Sequence, residues 1–381
     1  MKKQILVLGF LLVAVSGFTI VINVPADYET IQAGLNVATE GDSVIVADGI
    51  YYENITWPAV NGIKLIGESE ENCIIDGNEI SSIIRFEEDL NGIIDSTTVI
   101  KYFTIQNGAV NYGGLYIHNS HPIIMHTSIR ENVKVGVYCI DSMPLFYNVK
   151  IYDNFWGDNG VGVHLLRSDA IFTNVLIHNN AGVFGNAGLY CDDSNPILTN
   201  VTITKHIYVI GFGGYPYGIK VTNGSNPILN NCIIWDNGYS ICSHSYDLSI
   251  NYSNIEGGYT GEGNIATDPL FIDIENGDLH LLADSPCIDA GIDVGLPYYG
   301  IAPDMGAFEW EVELNYGDVD GNGEVQTYDA SLTLQNAVSL IEFTEEQTIT
   351  GDVDGNGIIQ TYDASLILQY AAGLIDAFPV E

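Results

Sequence analysis

The chain has 381 residues, with 49 acidic and 11 basic side chains and a formal net charge of −38. Such a negative surface repels phosphate, so nucleic acid and anionic membranes are disfavoured as partners. The length allows two or three domains, each large enough for a hydrophobic core.

The N-terminal segment has the pattern of a secretory signal peptide. Lys2 and Lys3 precede the apolar run Ile5–Val15, and small residues near Ala14 and Ser16 provide a cleavage site. The run is too short for a typical spanning helix, and no later segment is long enough. We therefore predict a signal peptide over residues 1–17, no membrane span in the mature chain, and a secreted, extracellular or cell-surface protein.

Five repeated units follow in the middle of the chain. Each unit starts at a glycine and later reaches a position that is asparagine in four of the five units. The glycines are Gly114, Gly136, Gly162, Gly188 and Gly218, and the later positions are Asn132, Asn154, Asn180, His206 and Asn237. A repeat of about 22–30 residues is typical of a solenoid, in which each unit stacks on the one before it.

Alternation of apolar and polar residues within the units predicts strands with one buried face. Two inward columns are predicted, Leu115, Val137, Val163, Leu189, Ile219 and Ile129, Ile151, Ile177, Ile203, Ile234. A further column, His126, Asn148, Asn174, Asn200, Asn231, predicts a ladder of stacked amides that satisfies buried turn groups. The six cysteines show no paired spacing, so we predict buried thiols rather than disulfides.

Both ends of the solenoid need a cap, because open sheet edges would pair with other chains. An amphipathic helix is predicted over Asp27–Ala38, with Asp27 as its N-cap. This helix and the strand pattern after it resemble the opening of pectate-lyase-like right-handed parallel β-helices. The segments Asp268–Phe271, Gly277–Leu281, Ser285–Gly291 and Asp304–Glu309 resemble the closing region of secreted β-helix proteins with interchangeable C-terminal anchors. The resemblance implies a mainly β fold, a right-handed parallel β-helix over residues 18–310, and leaves the activity open.

One strand face of the units carries candidate functional residues. Its outward column is Tyr116, Tyr138, His164, Tyr190, Lys220, and the aromatic-rich loops that precede these strands include Trp156. Aromatic rings beside polar groups suit sugar rings, so we predict that Tyr116, Tyr138, Tyr190, Trp156 and Asp192 bind a polysaccharide. Stacked tyrosines that only stabilise the sheet are the alternative.

Catalysis on this face would need a base and a positive group near the sugar carboxylate, as in uronide lyases and epimerases. His164, Tyr138, Tyr190 and Lys220 are the candidate catalytic residues. Ordinary surface residues are the alternative, and the same holds for Asp141, Arg167 and Asp193, which we predict to form a charge ladder at a turn.

A twelve-residue pattern occurs twice near the C-terminus, at Asp318–Asp329 and again at Asp352–Asp363. Oxygen-bearing side chains at loop positions 1, 3, 5 and 12, with glycine at position 6, are typical of a Ca²⁺ loop. Position 7 offers its backbone carbonyl, and position 9 coordinates directly or through water. We predict two Ca²⁺ ions, with the ligands Asp318, Asp320, Asn322, Glu324, Gln326 and Asp329 in one loop, and Asp352, Asp354, Asn356, Ile358, Gln360 and Asp363 in the other.

Each loop leads into one predicted helix, near Tyr328–Leu340 and Tyr362–Leu374, and position 12 is Asp rather than Glu. This arrangement resembles the type I dockerin, and it covers residues 316–381 after a short linker at 311–315. The resemblance implies a small all-α calcium-binding module that binds a cohesin domain of a scaffold or surface protein. It implies that Thr327, Tyr328, Thr361 and Tyr362 contact the cohesin, and that either copy of the pair can dock.

Two classes of function are compatible with these observations. The first is a polysaccharide-binding or polysaccharide-degrading component, a lyase or glycoside hydrolase if it is an enzyme, delivered by its dockerin. The second is a non-catalytic adhesin or structural β-helix protein that uses the same anchor.

Overall fold

The structure, a computed structural model, describes residues 19–90, 92–109, 112–157, 162–182, 187–208, 215–243, 248–310 and 315–380. The chain divides into two compact units, residues 1–310 and 311–381. The predicted signal peptide and residues 311–314 of the predicted linker lie outside the described residues.

Most strands of the first unit belong to two parallel sheets. Sheet A contains β1 (Val21–Val24), β2 (Ser43–Val46), β3 (Gly49–Tyr52), β5 (Lys64–Gly67), β6 (Cys73–Asp76), β8 (Val99–Gln106), β10 (Ile123–Arg130), β12 (Leu145–Tyr152), β15 (Ile171–His178), β18 (Ile197–Thr204), β21 (Ile228–Asn230), β22 (Ile233–Trp235), β24 (Ser249–Asn251) and β25 (Asn254–Ile255). Sheet B contains β4 (Ile55–Thr56), β7 (Ile84–Phe86), β9 (Leu115–His118), β11 (Val137–Ile140), β14 (Val163–Leu166), β17 (Ala187–Asp192), β20 (Tyr217–Thr222) and β23 (Tyr239–Ser243).

The remaining elements of this unit are short. Sheet C is parallel and contains β13 (Phe155–Gly157), β16 (Ala181–Gly182) and β19 (Ile207–Tyr208). β26 (Phe271–Asp273) and β27 (Asp278–Leu281) form an antiparallel pair, and the described part of this unit also has the α-helix α1 (Ile31–Val37) and a 3₁₀ turn (Glu88–Leu90).

The units stack in register, which confirms the predicted solenoid. Ile129 pairs with Ile105 on one side and with Ile151 on the other, and the whole isoleucine column is buried. The inward column that begins at Leu115 is also buried and in register. Between these columns Phe146 stacks on Phe172 with ring centroids 5.0 Å apart. The core is therefore built from columns of like side chains, one coil above the next.

A left-handed residue bends each long strand of sheet A near its middle. The residues of the predicted amide ladder occupy these bends, with φ between 45° for His126 and 53° for Asn200 and Asn231. Asparagine tolerates this conformation better than most residues. Hydrogen bonds between side-chain amides join the last three residues of this column. Asn231 Nδ2 donates to Asn200 Oδ1, and Asn200 Nδ2 donates to Asn174 Oδ1, each at 3.1 Å. The main role of this column is thus to bend the strands.

The deeply buried amide ladder lies instead in the column of Asn132, Asn154 and Asn180. Asn132 Nδ2 donates to Asn154 Oδ1 at 3.0 Å, and Asn154 Nδ2 donates to Asn180 Oδ1 at 2.9 Å. Each amide also donates to a strand carbonyl, as Asn154 does to Ile129 at 3.1 Å. The repeat glycines lie against this ladder, since a Cβ on Gly136 would approach Asn154 Nδ2 to 2.8 Å. This contact explains the glycine that begins each unit.

A histidine interrupts this ladder in the fourth unit. His206 Nδ1 accepts from Asn180 N at 3.3 Å, while its Nε2 is buried without a hydrogen-bond partner. Burial lowers the pKa of His206 to about 3, so the ring is neutral near neutral pH.

The first unit is expected to lose stability as the pH falls, in part through His206. Its pKa is lower in the folded chain than in the unfolded chain, so this contribution is complete above the unfolded value near 6.5 and is lost as the pH falls towards 3. We expect His206→Asn to reduce the loss of unfolding free energy between about pH 7 and about pH 5, measured by urea denaturation. His126→Asn, at a strand bend where the following coils carry asparagine, controls for removal of an imidazole. An unchanged pH dependence in His206→Asn would contradict this assignment.

Helix α1 covers the first coil and begins later than predicted. Thr30 is its N-cap and accepts from Ala33 N at 3.1 Å. Glu53 adds a carboxylate that accepts from Ile31 N at 2.7 Å and Gln32 N at 2.9 Å, where the helix dipole favours negative charge. Asp27, the predicted N-cap, instead accepts from Asn23 N at 2.7 Å. The prediction of the cap was therefore wrong, because Asp27 closes the turn before the helix.

The segment after the last coil packs on the outer side of sheet A. Met305, Cys287 and Leu281 form a small buried cluster with Ile233. Further along, Gly306 N donates to Asn231 O at 2.8 Å, and Ala307 N donates to Thr202 Oγ1 at 2.9 Å. Thr202 belongs to β18, an earlier coil. The predicted closing region therefore also returns along the stack towards the earlier coils.

The second unit contains α2 (Thr327–Ala337), α3 (Glu345–Gly351) and α4 (Thr361–Ala371). α2 and α4 confirm the two predicted helices with somewhat earlier ends, and α3 was not predicted. Val319, Val353, Ile367 and Phe378 contribute to one small core. Val319 and Val353 occupy the second position of the two acidic loops, so the loops and helices share this core.

All six cysteines lie among the described residues, and none of them forms a disulfide there. Five are buried, and burial raises the pKa of thiols such as Cys139 and Cys191. Within the described ranges, no helix combines the length and the apolar character needed to cross a membrane.

Candidate functional site

The predicted outward column forms one continuous row on sheet B. Tyr138 pairs with Tyr116 and with His164, and Tyr190 pairs with His164 and with Lys220. Neighbouring strands in a sheet lie about 4.8 Å apart, so these five side chains follow one another along the stack. Arg85 extends the row beyond Tyr116. We call residues 116, 138, 164, 190 and 220 the aromatic row.

Rings within the aromatic row contact one another directly. Tyr138 and His164 have centroids 4.6 Å apart, and His164 and Tyr190 have centroids 4.7 Å apart. The Lys220 ammonium lies 5.0 Å from the centre of the Tyr190 ring. These contacts hold the rings in fixed positions, which reduces the entropy lost when a ligand stacks on them.

Tyr112 covers one end of the aromatic row. Its ring stacks on Tyr116 at 4.3 Å and on Tyr138 at 5.0 Å. Tyr116 is consequently buried, and its hydroxyl lies 3.0 Å from His118 Nδ1. Burial is the main cause that raises the pKa of Tyr116 to about 12. Tyr116 therefore supports the row rather than facing solvent, and Tyr112, which no repeat column contains, provides the outer ring.

His164 is largely enclosed by its neighbours. Its Nε2 is buried without a hydrogen-bond partner, and burial lowers its pKa to about 4, despite the opposing effect of Asp192. The ring is therefore neutral near neutral pH. A general base must reach the proton that it removes, within hydrogen-bond distance or through one water. The buried Nε2 does not meet this requirement in the structure.

A polar network lies beside the row at the next turn. Arg167 donates to both carboxylate oxygens of Asp141 at 2.7 Å, and His118 Nε2 lies 3.8 Å from the same carboxylate. Asp192 accepts from Asn223 Nδ2 at 2.5 Å. The pair of Asp141 and Arg167 has the geometry of the predicted surface charge ladder. Asp192 stands on the same face as the row, because it lies two residues after Tyr190 on β17.

The loops predicted to flank the row begin in sheet C, where Phe155 pairs with Ala181 and Ala181 pairs with Ile207. Residues 158–161, 183–186 and 209–214 lie outside the described residues. The side chain of Trp156 also lies outside them, although its backbone belongs to β13.

The acidic loops of the second unit have nearly the same geometry. Carboxylate oxygens of Asp318, Asp320 and Asp329 all lie within 4.8 Å of one another, and the same holds for Asp352, Asp354 and Asp363. In the first loop, Asp318 accepts from Gly323 N at 2.7 Å and Asp329 accepts from Gln326 N at 2.8 Å. In the second, the equivalent bonds are 2.6 Å and 2.8 Å. The glycines at position 6, Gly323 and Gly357, have φ of 88° and 82°.

This donor set fits a hard divalent cation. Asp329 and Asp363 are fully buried, and burial raises the pKa of Asp363. Residues 311–381 contain no Lys, Arg or His, so no side chain of this unit can neutralise these carboxylates. Converging oxygens without a cationic partner are what Ca²⁺ requires. Asn322 and Asn356 add amide oxygens to the two loops, and the carbonyls of Glu324 and Ile358 stand at position 7.

Residues predicted to contact a partner are exposed in both copies. Tyr328 is 57% exposed and Tyr362 is 55% exposed, and Thr327 and Thr361 before them are exposed as well. Leucines at equivalent positions of the two helices follow the same symmetry, with Leu334 at 46% and Leu368 at 49%. The second unit thus presents two similar surfaces, one at each loop-helix segment.

Comparison with known proteins gives two family matches. The family described as "Right handed beta helix region" matches residues 33–210 and 142–265, which together span more than half of the chain. The family described as "Dockerin type I domain" matches residues 316–371. No curated protein matches the chain.

Several solved structures are similar to this chain at low identity. They include pectate lyase Pel9A, with 14% identity, a TM-score of 0.42 and coverage of 77% of this chain and 97% of that one. A pectin methylesterase from carrot has 13% identity and a TM-score of 0.36, covering 60% and 90%. The A-module of the Azotobacter vinelandii mannuronan C-5 epimerase AlgE4 has 16% identity and a TM-score of 0.27, covering 61% and 85%.

The stacked coils and the paired acidic loops agree with the two family matches. The chain belongs to the right-handed β-helix family and carries a type I dockerin domain at its C-terminal end.

Proposed function

We propose that this protein is a secreted carbohydrate-binding β-helix component, delivered to a scaffold or surface protein by calcium-dependent binding of its dockerin to a cohesin. The observation that carries the proposal is the pairing of a dockerin match with two loops that converge carboxylates in the same way. Type I dockerins bind calcium and cohesins, so the second unit acts as the attachment module. Two Ca²⁺ ions would occupy the loops.

The aromatic row supports polysaccharide as the ligand of the first unit. Tyr138 and Tyr190 are half-buried and held by ring contacts, and Tyr112 extends their surface. Sugar rings present C–H faces that stack on such rings, while polar groups beside them, here Lys220 and Asp192, bond the hydroxyls. Trp156 is proposed to join this surface from its loop.

Binding without catalysis is the function that we favour for this face. The buried Nε2 of His164 and its lowered pKa support this choice, because a catalytic base needs access to substrate. The enzymatic alternative, with His164, Tyr138, Tyr190 and Lys220 as the catalytic residues, requires the ring of His164 to become accessible when substrate binds. Turnover of a polysaccharide panel by the purified protein, lost in His164→Ala, would establish that alternative.

Removing a ring from the aromatic row should weaken polysaccharide binding. We expect Tyr138→Ala and Tyr190→Ala each to cost on the order of 1 kcal/mol, about fivefold in affinity, because each deletes one stacking surface. Affinity electrophoresis against a panel of plant polysaccharides measures this change. Tyr52→Ala, at a tyrosine that is 67% exposed on β3, is the matched control. Binding that survives both row variants would contradict the proposed surface.

Two equivalent docking surfaces should make the dockerin tolerant of single substitutions. With Ca²⁺ present, we expect Tyr328→Ala alone and Tyr362→Ala alone to bind a cohesin with little loss, since the other copy can dock. The double variant should bind at least about a hundredfold more weakly, because aromatic residues that become buried on binding dominate the affinity of such interfaces. Surface plasmon resonance with a panel of immobilised cohesins tests this. A hundredfold loss in one single variant would show that only that copy docks.

A further inference from the structure

A groove lies on the outer side of sheet A, on a different sheet from the aromatic row. β12 and β15 form its floor, and the returning C-terminal segment of the first unit forms its wall. It consists of two adjoining cavities of about 550 Å³ and about 270 Å³, both lined by Lys150, Leu176 and Phe308. Ligand sites in proteins have volumes of this order. Because the two cavities adjoin, together they can hold a chain of linked rings.

Two stacked pairs of rings line the larger cavity. Tyr152 and His178 lie on the floor with centroids 5.0 Å apart and ring planes 11° apart. His280 and Phe308 lie on the wall with centroids 4.1 Å apart. His280 is exposed and the other three rings are half-buried, so flat apolar surface is available on both sides of the groove. Sugar rings bind between surfaces of this kind.

Two lysines line the larger cavity. They are Lys150 and Lys205, two of only 11 basic residues in the chain. Burial is the main cause that lowers the pKa of His178 to about 4, and the positive charges of Lys150 and Lys205 act in the same direction.

Four carboxylates, those of Glu70, Asp153, Glu275 and Asp278, line the groove as well, and each already has a partner. The Asp153 carboxylate accepts a hydrogen bond from the Asn179 amide. Asp278 Oδ1 lies 2.8 Å from His280 Nδ1. Glu275 Oε2 forms an ion pair with Lys205 Nζ at 2.7 Å.

Lys150 is the cation best placed for an added anion. The Lys150 ammonium lies 3.8 Å from the Glu70 carboxylate, whereas the Lys205 ammonium lies only 2.7 Å from that of Glu275. Lys150 also lines both cavities. A carboxylate on a sugar can approach within the stronger range of charge-assisted hydrogen bonds, about 2.7–2.9 Å. The net charge of −38 repels long polyanions, which favours a short ligand.

We propose that this groove binds a short acidic oligosaccharide, with one sugar carboxylate at Lys150 and the adjoining rings against Tyr152, His178 and Phe308. The site goes beyond the proposed function, since it shares no residue with the aromatic row.

Isothermal titration calorimetry on the full-length protein in a fixed Ca²⁺ concentration tests this proposal. The probes are trigalacturonate and maltotriose, an acidic and a neutral trisaccharide. The variants are Lys150→Met, which keeps an apolar stem, and Phe308→Ala. Lys64→Met, at an exposed lysine on β5 outside the groove, makes the same change in charge.

We expect trigalacturonate to bind at least about tenfold more tightly than maltotriose, because a bond to a charged group is worth more than one between neutral groups. Lys150→Met should weaken its binding about tenfold, and Lys64→Met should leave it unchanged. Phe308→Ala should weaken trigalacturonate binding through lost stacking. If Phe308→Ala does not fold, Lys150→Met still decides the test.

Three results would overturn the proposal. One is equal affinity for both trisaccharides, and another is binding that Lys150→Met does not change. A third is binding that Tyr190→Ala removes while both groove variants retain it, which would place the ligand on the aromatic row. That third result would support the proposed function while excluding the groove. Loss of row binding in Tyr190→Ala, with trigalacturonate binding intact, would support two separate sites.

Discussion

Chelation of calcium is expected to unfold the dockerin while the β-helix stays folded. Asp329 and Asp363 are fully buried, and residues 311–381 provide no cationic side chain to balance them. An uncompensated buried carboxylate costs several kcal/mol, and in each loop two further carboxylates converge on the buried one. Binding of Ca²⁺ should therefore supply much of the folding free energy of this small unit. Hydrogen exchange of residues 315–380, compared in Ca²⁺ and in EGTA, measures the change.

Loss of position 1 in both loops should have the same effect in the presence of calcium. We expect the double variant Asp318→Ala and Asp352→Ala to show no calcium-dependent protection in residues 315–380. The double variant Glu342→Ala and Asp376→Ala removes the same charge at exposed positions outside the loops and should respond as the wild type. Residues 19–310 should exchange alike in all samples, because their core is separate. Protection that persists in EGTA would contradict two structural Ca²⁺ sites.

Truncating one buried amide should destabilise the β-helix more than any surface change. In Asn154→Ala, the carbonyl of Ile129 loses this donor, Asn132 N loses its acceptor, and Asn132 Nδ2 keeps only its bond to Ile105 O. These groups are buried, and each unsatisfied group costs roughly 1–3 kcal/mol. We therefore expect a loss of roughly 3 kcal/mol or more in the free energy of unfolding, measured by urea denaturation.

Asn226→Ala is the control for this loss. Asn226 lies exposed at a turn of the same stack, where substitutions usually change stability by less than about 0.5 kcal/mol. A similar small change in Asn154→Ala would mean that water replaces the missing amide, and that the ladder contributes little to stability.

The repeating part of this fold follows from the sequence because stacking makes each unit a copy of its neighbour. A residue such as Ile151 touches Ile129 and Ile177, so one alignment of the units predicts burial and register together. The same logic placed Tyr138, His164 and Tyr190 in one row. The acidic loops are equally readable, since all the predicted ligands of each loop lie within one short, continuous segment.

Features that depend on distant segments were not predicted. The contact of Ala307 with Thr202 joins residues 105 positions apart, and no repeat column marks either residue. The groove under Phe308 was missed for this reason. Tyr112 was missed because it lies in a connection outside the columns. Its ring covers Tyr116, which is why Tyr116 is buried although the alternating pattern predicted that it would be exposed. For the two asparagine columns, sequence alone does not distinguish an amide at a bend from one in the buried ladder.

Sheet C fixes the places where the sequence can gain insertions without disturbing the core. Three connecting segments each begin at a strand of sheet C. The backbone of Phe155 pairs with Ala181, and that of Ala181 pairs with Ile207, so the starting points of these segments are fixed. The segments that follow, residues 158–162, 183–186 and 209–216, differ in length, yet the strands after them keep their register. Lengthening a loop adds little closure entropy once its ends are held. Insertions at these points can therefore diversify the molecular surface through evolution, one coil at a time, without disturbing the packing inside.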